Sequence, residues 1–157
     1  VAFQTVPVTK AKSFQGPISA RLYVSSTSGD GMLSVSVEDV APNGKVSRLT
    51  GGWQVISLRA LNSDKSRYLD GKLIQPYHPF TKASQAPAKP GQVVPVDVEL
   101  FPTGAKIATG HRLRIAVQTF DVPHLLPNLS IALGTASVIT LYTGSGHESR
   151  VTLPFLG

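Results

Sequence analysis

Apolar and polar residues alternate with a period of two along most of this chain, the pattern of strands with one face buried and the other in water. Ile18, Ala20, Leu22 and Val24 alternate with Ser19, Arg21 and Tyr23, and Leu33, Val35 and Val37 alternate with Ser34, Ser36 and Glu38. Between them Ser28-Gly29-Asp30-Gly31 has turn chemistry, and Asn43-Gly44 predicts a hairpin returning through Val46 to Leu49. Val94, Val96, Val98 and Leu100 form a third clear alternation, where Pro95 predicts an edge strand, and Phe101-Pro102-Thr103-Gly104 reads as a turn. Ser13 to Pro17 likewise reads as a break before Ile18.

The stretch from Gly110 to Pro123 joins a strand to an unusual set of polar residues. Leu113, Ile115 and Val117 share one face, and Arg112, Arg114 and Gln118 the other, with His111 at the entrance and Asp121 before the terminating Pro123. Shorter apolar pieces follow at Leu125-Leu126, Ile131 and Leu133, Ala136 to Leu141, and Val151 to Phe155. Between Leu61 and Gln92 the pattern gives way to a long polar connection with Tyr77-His78-Pro79-Phe80 and a Pro/Ala/Lys-rich tract, and Ala60 to Lys65 admits a short helix. Roughly eight or nine strands without crossing helices predict an all-β antiparallel two-sheet β-sandwich, and the long connections favour a jelly roll.

Length and composition narrow the class. A chain of 157 residues fits one domain over 1–157 and buries roughly 70% of its unfolded surface without staples. Charged residues make up 15%, against about 25% in ordinary globular domains, and 41% are hydrophobic, which excludes disorder. With no cysteine there is no thiolate zinc site, no cysteine nucleophile and no indication of compartment. The net charge of +6 is spread from Lys10 to Arg150 without a run, so a solvated basic surface is favoured over a nucleic-acid partner. No apolar run reaches the ~18 residues of a membrane helix. The start at Val1, without methionine, reads as a fragment.

Catalytic constellations are sparse. No Gly-x-Ser-x-Gly elbow occurs; Gly144-Ser145-Gly146-His147 has the wrong spacing and reads as a turn. His78, His111, His124 and His147 never fall at i, i+2 or i, i+4, so no metal pair shares a face, and no cofactor is expected. Asp30 and Asp39 bracket a strand end that could take calcium, but turn formation is the better reading. Gly51-Gly52 implies a bulge or a close backbone approach, and Trp53 beyond it reads as core before partner contact.

The ordered series Phe3-x-Thr5-x-Pro7, Gly16-Pro17-Ile18, Val37-x-Asp39-Val40-x-Pro42-x-Gly44, Gly52-Trp53-x-x-x-Ser57-Leu58-Arg59, Pro90-Gly91, Val98-x-Leu100-x-Pro102-Thr103 and Gly110-His111-Arg112-Leu113-Arg114 resembles one known domain. It is similar to the C-terminal domain of the X-prolyl dipeptidyl peptidase and cocaine esterase (CocE/NonD) family of serine hydrolases, from near Val1 to about Leu153. That resemblance implies a galactose-binding-like jelly roll following an α/β-hydrolase domain and a helical cap. It also implies that the serine, aspartate, histidine and oxyanion hole of the family lie in that preceding domain, so no catalytic residue carries over. The expected partner is the α/β-hydrolase domain, with a second copy of the chain a further candidate. Arg112 and Arg114, with Arg59, His111 and Asp121, are expected to form a charge-paired bracing network, and the Leu61–Gln92 segment, with Tyr77, His78 and Phe80, to dock on the hydrolase or to lie as a flap on its own domain. A carbohydrate- or peptide-binding module is the alternative function.

Overall fold

In the computed structural model, which describes residues 1–122, 124 and 137–156, the alternations become ten strands in two main antiparallel sheets and one small hairpin. The strands are β1 (Ala2–Gln4), β2 (Lys12–Ser26), β3 (Met32–Val40), β4 (Val46–Val55), β5 (Arg67–Leu69), β6 (Lys72–Gln75), β7 (Val94–Ile107), β8 (Arg112–Gln118), β9 (Ile139–Tyr142) and β10 (Arg150–Thr152). The first sheet, A, has the order β1-β8-β3-β4. The second, B, has β10-β2-β7, with β9 also on β2. Phe14, Ile18, Leu22, Val24, Leu33, Val35, Val37, Val96, Val98 and Leu100 meet between the sheets as one core. The apolar pieces expected at 125–136 lie outside the described residues.

Two expected interruptions are not turns. β2 and β7 each run straight through their prolines, and the pairing shifts register where Gly16 faces Thr103 but Ile18 faces Leu100. Phe101 and Pro102 together oppose Pro17, so β7 carries one extra residue there. Neither proline has an N–H to give to the ladder, and a bulge is where that loss does least harm. The extra residue also switches the buried face of β7 from Val94, Val96, Val98 and Leu100 to Ala105 and Ile107. β7 borders sheet B, as Pro95 predicts.

The Asn43-Gly44 hairpin forms as expected: Gly44 has φ 83°, its N–H donates to Ala41 O, and Asn43 Oδ1 accepts from Lys45 N. No helix forms at 60–65; a single 3-10 turn lies earlier, at Ile56–Leu58. The last part of the chain runs antiparallel along β2, pairing through β9, then β10, then a bridge from Phe155 to Phe14. Gly144 to His147 is the turn of an excursion from that edge, closed at its base by Ser149, which accepts from Tyr23 N and donates to Tyr142 O.

The Leu61–Gln92 connection is not structureless. It contains the β5–β6 hairpin, which lies on sheet B: Ser19 Oγ donates to Leu73 O, and Gln75 Nε2 to Glu99 Oε1. The short, mostly exposed strands Arg67–Leu69 and Lys72–Gln75 carry too little alternation to be read from sequence.

Candidate functional site

The outer face of sheet A carries Arg114, with Trp53 and Asp121 beside it. β3 turns Leu33, Val35 and Val37 inward, which puts Ser34, Ser36 and Glu38 outward, and Glu38 pairs in register with Arg114 on β8 and Arg48 on β4. Arg114 Nε donates to Glu38 Oε2 at 2.5 Å and Ser36 Oγ to Oε1 at 2.7 Å, leaving Glu38 only 8% exposed. Arg48 turns away to Asp121, giving a 2.6 Å bond to Oδ2, the same oxygen that accepts from Trp53 Nε1 at 3.0 Å. The Arg48 guanidinium lies 5.6 Å from the Trp53 ring centre, within cation–π range.

The expected single network is therefore several separate devices. Arg112 Nη1 donates to Thr5 O and holds the chain after β1. His111 Nδ1 lies 3.0 and 2.9 Å from the two carboxylate oxygens of Asp39, bracing the far end of β8. Arg59 belongs to neither group. It donates to Ile56 O and Ala86 O, fastening the Pro/Ala/Lys tract to the end of β4, and Ala86 N donates to Ser57 O.

Trp53 is not a core residue. It faces Ser34 across the β3–β4 ladder, and Ser34 is on the outer side, so the indole lies half-buried on the outer face against Phe101. β8 stops at Gln118, and Asp121 folds back to Arg48 after the strand has ended. Asp30 is a turn residue, its Oδ1 accepting from Gly31 N and Ser57 N. Among the described residues no group of three His, Cys, Asp or Glu is placed to hold a metal ion, and no helix is long and apolar enough to cross a membrane.

In the long connection, His78 is buried with both ring nitrogens facing backbone carbonyls, Ala60 O at 3.1 Å and Asp97 O at 2.9 Å, which staples the segment to β7. Tyr77 and Phe80 point outward, Phe80 58% exposed with a backbone φ of 52°, an uncommon conformation for a bulky residue. The partners that sequence reasoning missed are Glu38, Arg48 and Asp39. Glu38 and Arg48 showed only as charged residues at outward strand positions and Asp39 as one at the inward position after Val37, signals that name no partner until register is known.

Burial raises the Asp121 carboxyl pKa, but the Arg48 hydrogen bond and charge, with the Trp53 donor, outweigh it and hold the group below its ordinary value. A carboxyl depressed on folding contributes stability that is present above its unfolded pKa and is lost as pH falls through the folded one. Asp121→Asn should therefore flatten the acid limb of a melting-temperature profile below about pH 4. An unchanged limb would mean that Asp121 does not anchor this face.

Comparison with known proteins decides which domain these strands build. The family model for the X-Pro dipeptidyl-peptidase C-terminal non-catalytic domain matches residues 1–152. The chain belongs to that family. This X-Pro dipeptidyl-peptidase C-terminal domain is 31% identical over 160 residues to the Mycobacterium bovis protein named "Putative serine esterase Mb1866c", and equally so to a similarly named protein of Mycobacterium tuberculosis. Each match takes in 99% of this chain but 24% of the relative, so the chain spans about a quarter of the length of the curated relatives it matches. Its fold superposes with a TM-score of 0.79 and 21% identity on a CocE/NonD family hydrolase from Staphylococcus aureus, covering 99% of this chain and 30% of that one. An α-amino acid ester hydrolase gives 0.76 at 18% identity, covering 99% and 25%.

Proposed function

We propose that the chain is the non-catalytic C-terminal accessory domain of a CocE/NonD-type serine hydrolase, of the X-Pro dipeptidyl peptidase, acyl esterase or acylase class. In this role it buttresses the α/β-hydrolase core, and its loops reach toward the rim of that core's active site. The carrying observation is the match of residues 1–152 to a family of non-catalytic domains, in a chain that spans a quarter of relatives named as serine esterases.

The histidines support this reading. His78 has both nitrogens on backbone carbonyls, and His111 has a carboxylate partner, as a catalytic base would. Among the described residues, however, no serine hydroxyl is hydrogen-bonded to a histidine. The docking surface in this reading is the outward side of the Leu61–Gln92 segment, where Leu69, Tyr77 and Phe80 are exposed on a backbone fastened by His78 and Arg59.

Incubated with p-nitrophenyl butyrate and with Gly-Pro-p-nitroanilide, the purified chain should release no p-nitrophenol or p-nitroaniline above the buffer rate. Turnover that a serine-directed phosphonate abolishes would overturn the reading.

A further inference from the structure

The outer face of sheet B holds a cleft whose charges the fold leaves unbalanced. Cross-strand pairing sets Arg150 of β10 opposite Arg21 of β2, and Arg21 opposite Asp97 of β7, in one row over three strands. Asp97 takes Arg21 through two parallel bonds, Nε to Oδ1 and Nη2 to Oδ2, each 2.8 Å. That fork occupies both carboxylate oxygens. Arg150 is left facing a like charge, an arrangement that destabilises a strand pair.

Among the described residues no carboxylate besides Asp97 lines the cleft, and the Glu148 charge reaches Arg150 only from its margin. Lys72 of the β5–β6 hairpin lines the same cleft, so three cations meet one carboxylate. Glu99 is bonded to Gln75 Nε2, and an oxygen of Glu148, near Arg150 in sequence, accepts from Gly146 N. Among the described residues no carboxylate forms an ion pair with Arg150 or Lys72. The cleft measures about 640 Å³, within the range of small-molecule sites, and Tyr68, Leu73 and Phe155 add an apolar wall beside the cations.

We propose that this cleft binds a small organic acid, its carboxylate seated among Arg21, Arg150 and Lys72 and its apolar or aromatic body along Tyr68, Leu73 and Phe155. A planar carboxylate matches the donor fork of a guanidinium, and Arg21 still has Nη1 outside its bond to Asp97. The bound anion separates two like charges, so the row becomes alternating in sign. The proposal stands on this chain's own residues and is independent of what the parent enzyme hydrolyses.

The test is titration of the chain with 3-phenylpropionate and with its neutral analogue 3-phenylpropan-1-ol, followed by amide chemical shifts. The acid should bind saturably, weaken in 0.5 M salt, and shift amides of β2, β6 and β10, while the alcohol binds at least about tenfold more weakly, the scale of one charge-assisted hydrogen bond. Arg150→Gln and Lys72→Gln, on separate elements, should each weaken the acid by about tenfold. Arg150→Glu places an anion opposite Arg21, so it should abolish binding yet melt higher than Arg150→Gln. Equal affinity for acid and alcohol, wild-type affinity in both glutamine variants, or an Arg150→Glu protein that melts no higher than Arg150→Gln would each overturn the proposal.

Discussion

Replacing Gly52 by alanine will lower the melting temperature by about 6–12 °C. Gly52 lies on the inner side of β4, opposite Val35, where β4 of sheet A meets β7 of sheet B without side chains between them. A β-carbon there would overlap the carbonyl of Glu99 and crowd the Leu100 backbone. Thr50, two residues earlier on the same face, already donates to Phe101 O at 2.7 Å, which pins the two backbones together. Neither strand can retreat without opening the sandwich edge, so the cost belongs at the upper end of the overpacking range, about 3 kcal/mol. At about 2–4 °C per kcal/mol for a chain of this size, the temperature drop follows.

The adjacent Gly51 provides the comparison. The atoms nearest its added carbon belong to the end of the Arg48 side chain, which can swing aside. Gly51→Ala should therefore cost about 1 kcal/mol, mainly by loosening Arg48 from Asp121. Gly144, with no heavy atom within 4 Å of such a carbon, should accept alanine with little change. Urea titration of the three variants separates these cases, and a Gly52→Ala protein as stable as Gly144→Ala would show that the sheets do not close as described.

The second large effect is at Arg114. Arg114→Ala takes the cation from Glu38, a residue 8% exposed in the native protein, and leaves its carboxylate one hydroxyl donor, because Arg48 on its other side is committed to Asp121. Removing one member of a fully buried pair costs about 3–5 kcal/mol, and since the Arg114 side chain is 30% exposed the loss here should be about 2–3 kcal/mol. Adding Glu38→Gln should recover part of that loss, because the uncompensated charge is then gone. Additive losses in the double-mutant cycle would mean that the two side chains do not act as a pair.

What the sequence discloses and what it withholds divide along a physical line. Alternation from Ile18 to Val24, Leu33 to Val37 and Val94 to Leu100 names both the strands and their buried faces, because one face of each is apolar. The ordered motifs from Phe3 to Arg114 likewise point to the family that residues 1–152 match. Pro17 and Pro102 misread as breaks because a proline looks the same in sequence whether it ends a strand or faces a bulge. Trp53 misreads as core because its face is set by pairing with Ser34, not by its own hydrophobicity.

Partnership is hidden for the same reason. Arg114 and Glu38 are 76 residues apart, Asp121 and Arg48 are 73 apart, and Arg21 and Asp97 are again 76 apart. The first and third pairs follow from strand order and register, and the second from the fold-back after β8, none of which local pattern carries. Of the residues expected to form one network, Arg112 and Arg114 lie in β8 while Arg59, His111 and Asp121 lie outside the strands, and the structure shows that they brace different places.

The most direct test of the central claim, a non-catalytic domain that buttresses a hydrolase core, is to express the parent protein with and without residues 1–157 and follow its ester turnover during heating. The truncated core should lose activity at a lower temperature than the whole protein, while this chain alone shows no turnover. A truncated core that keeps both the activity and the inactivation temperature of the intact protein would contradict the claim.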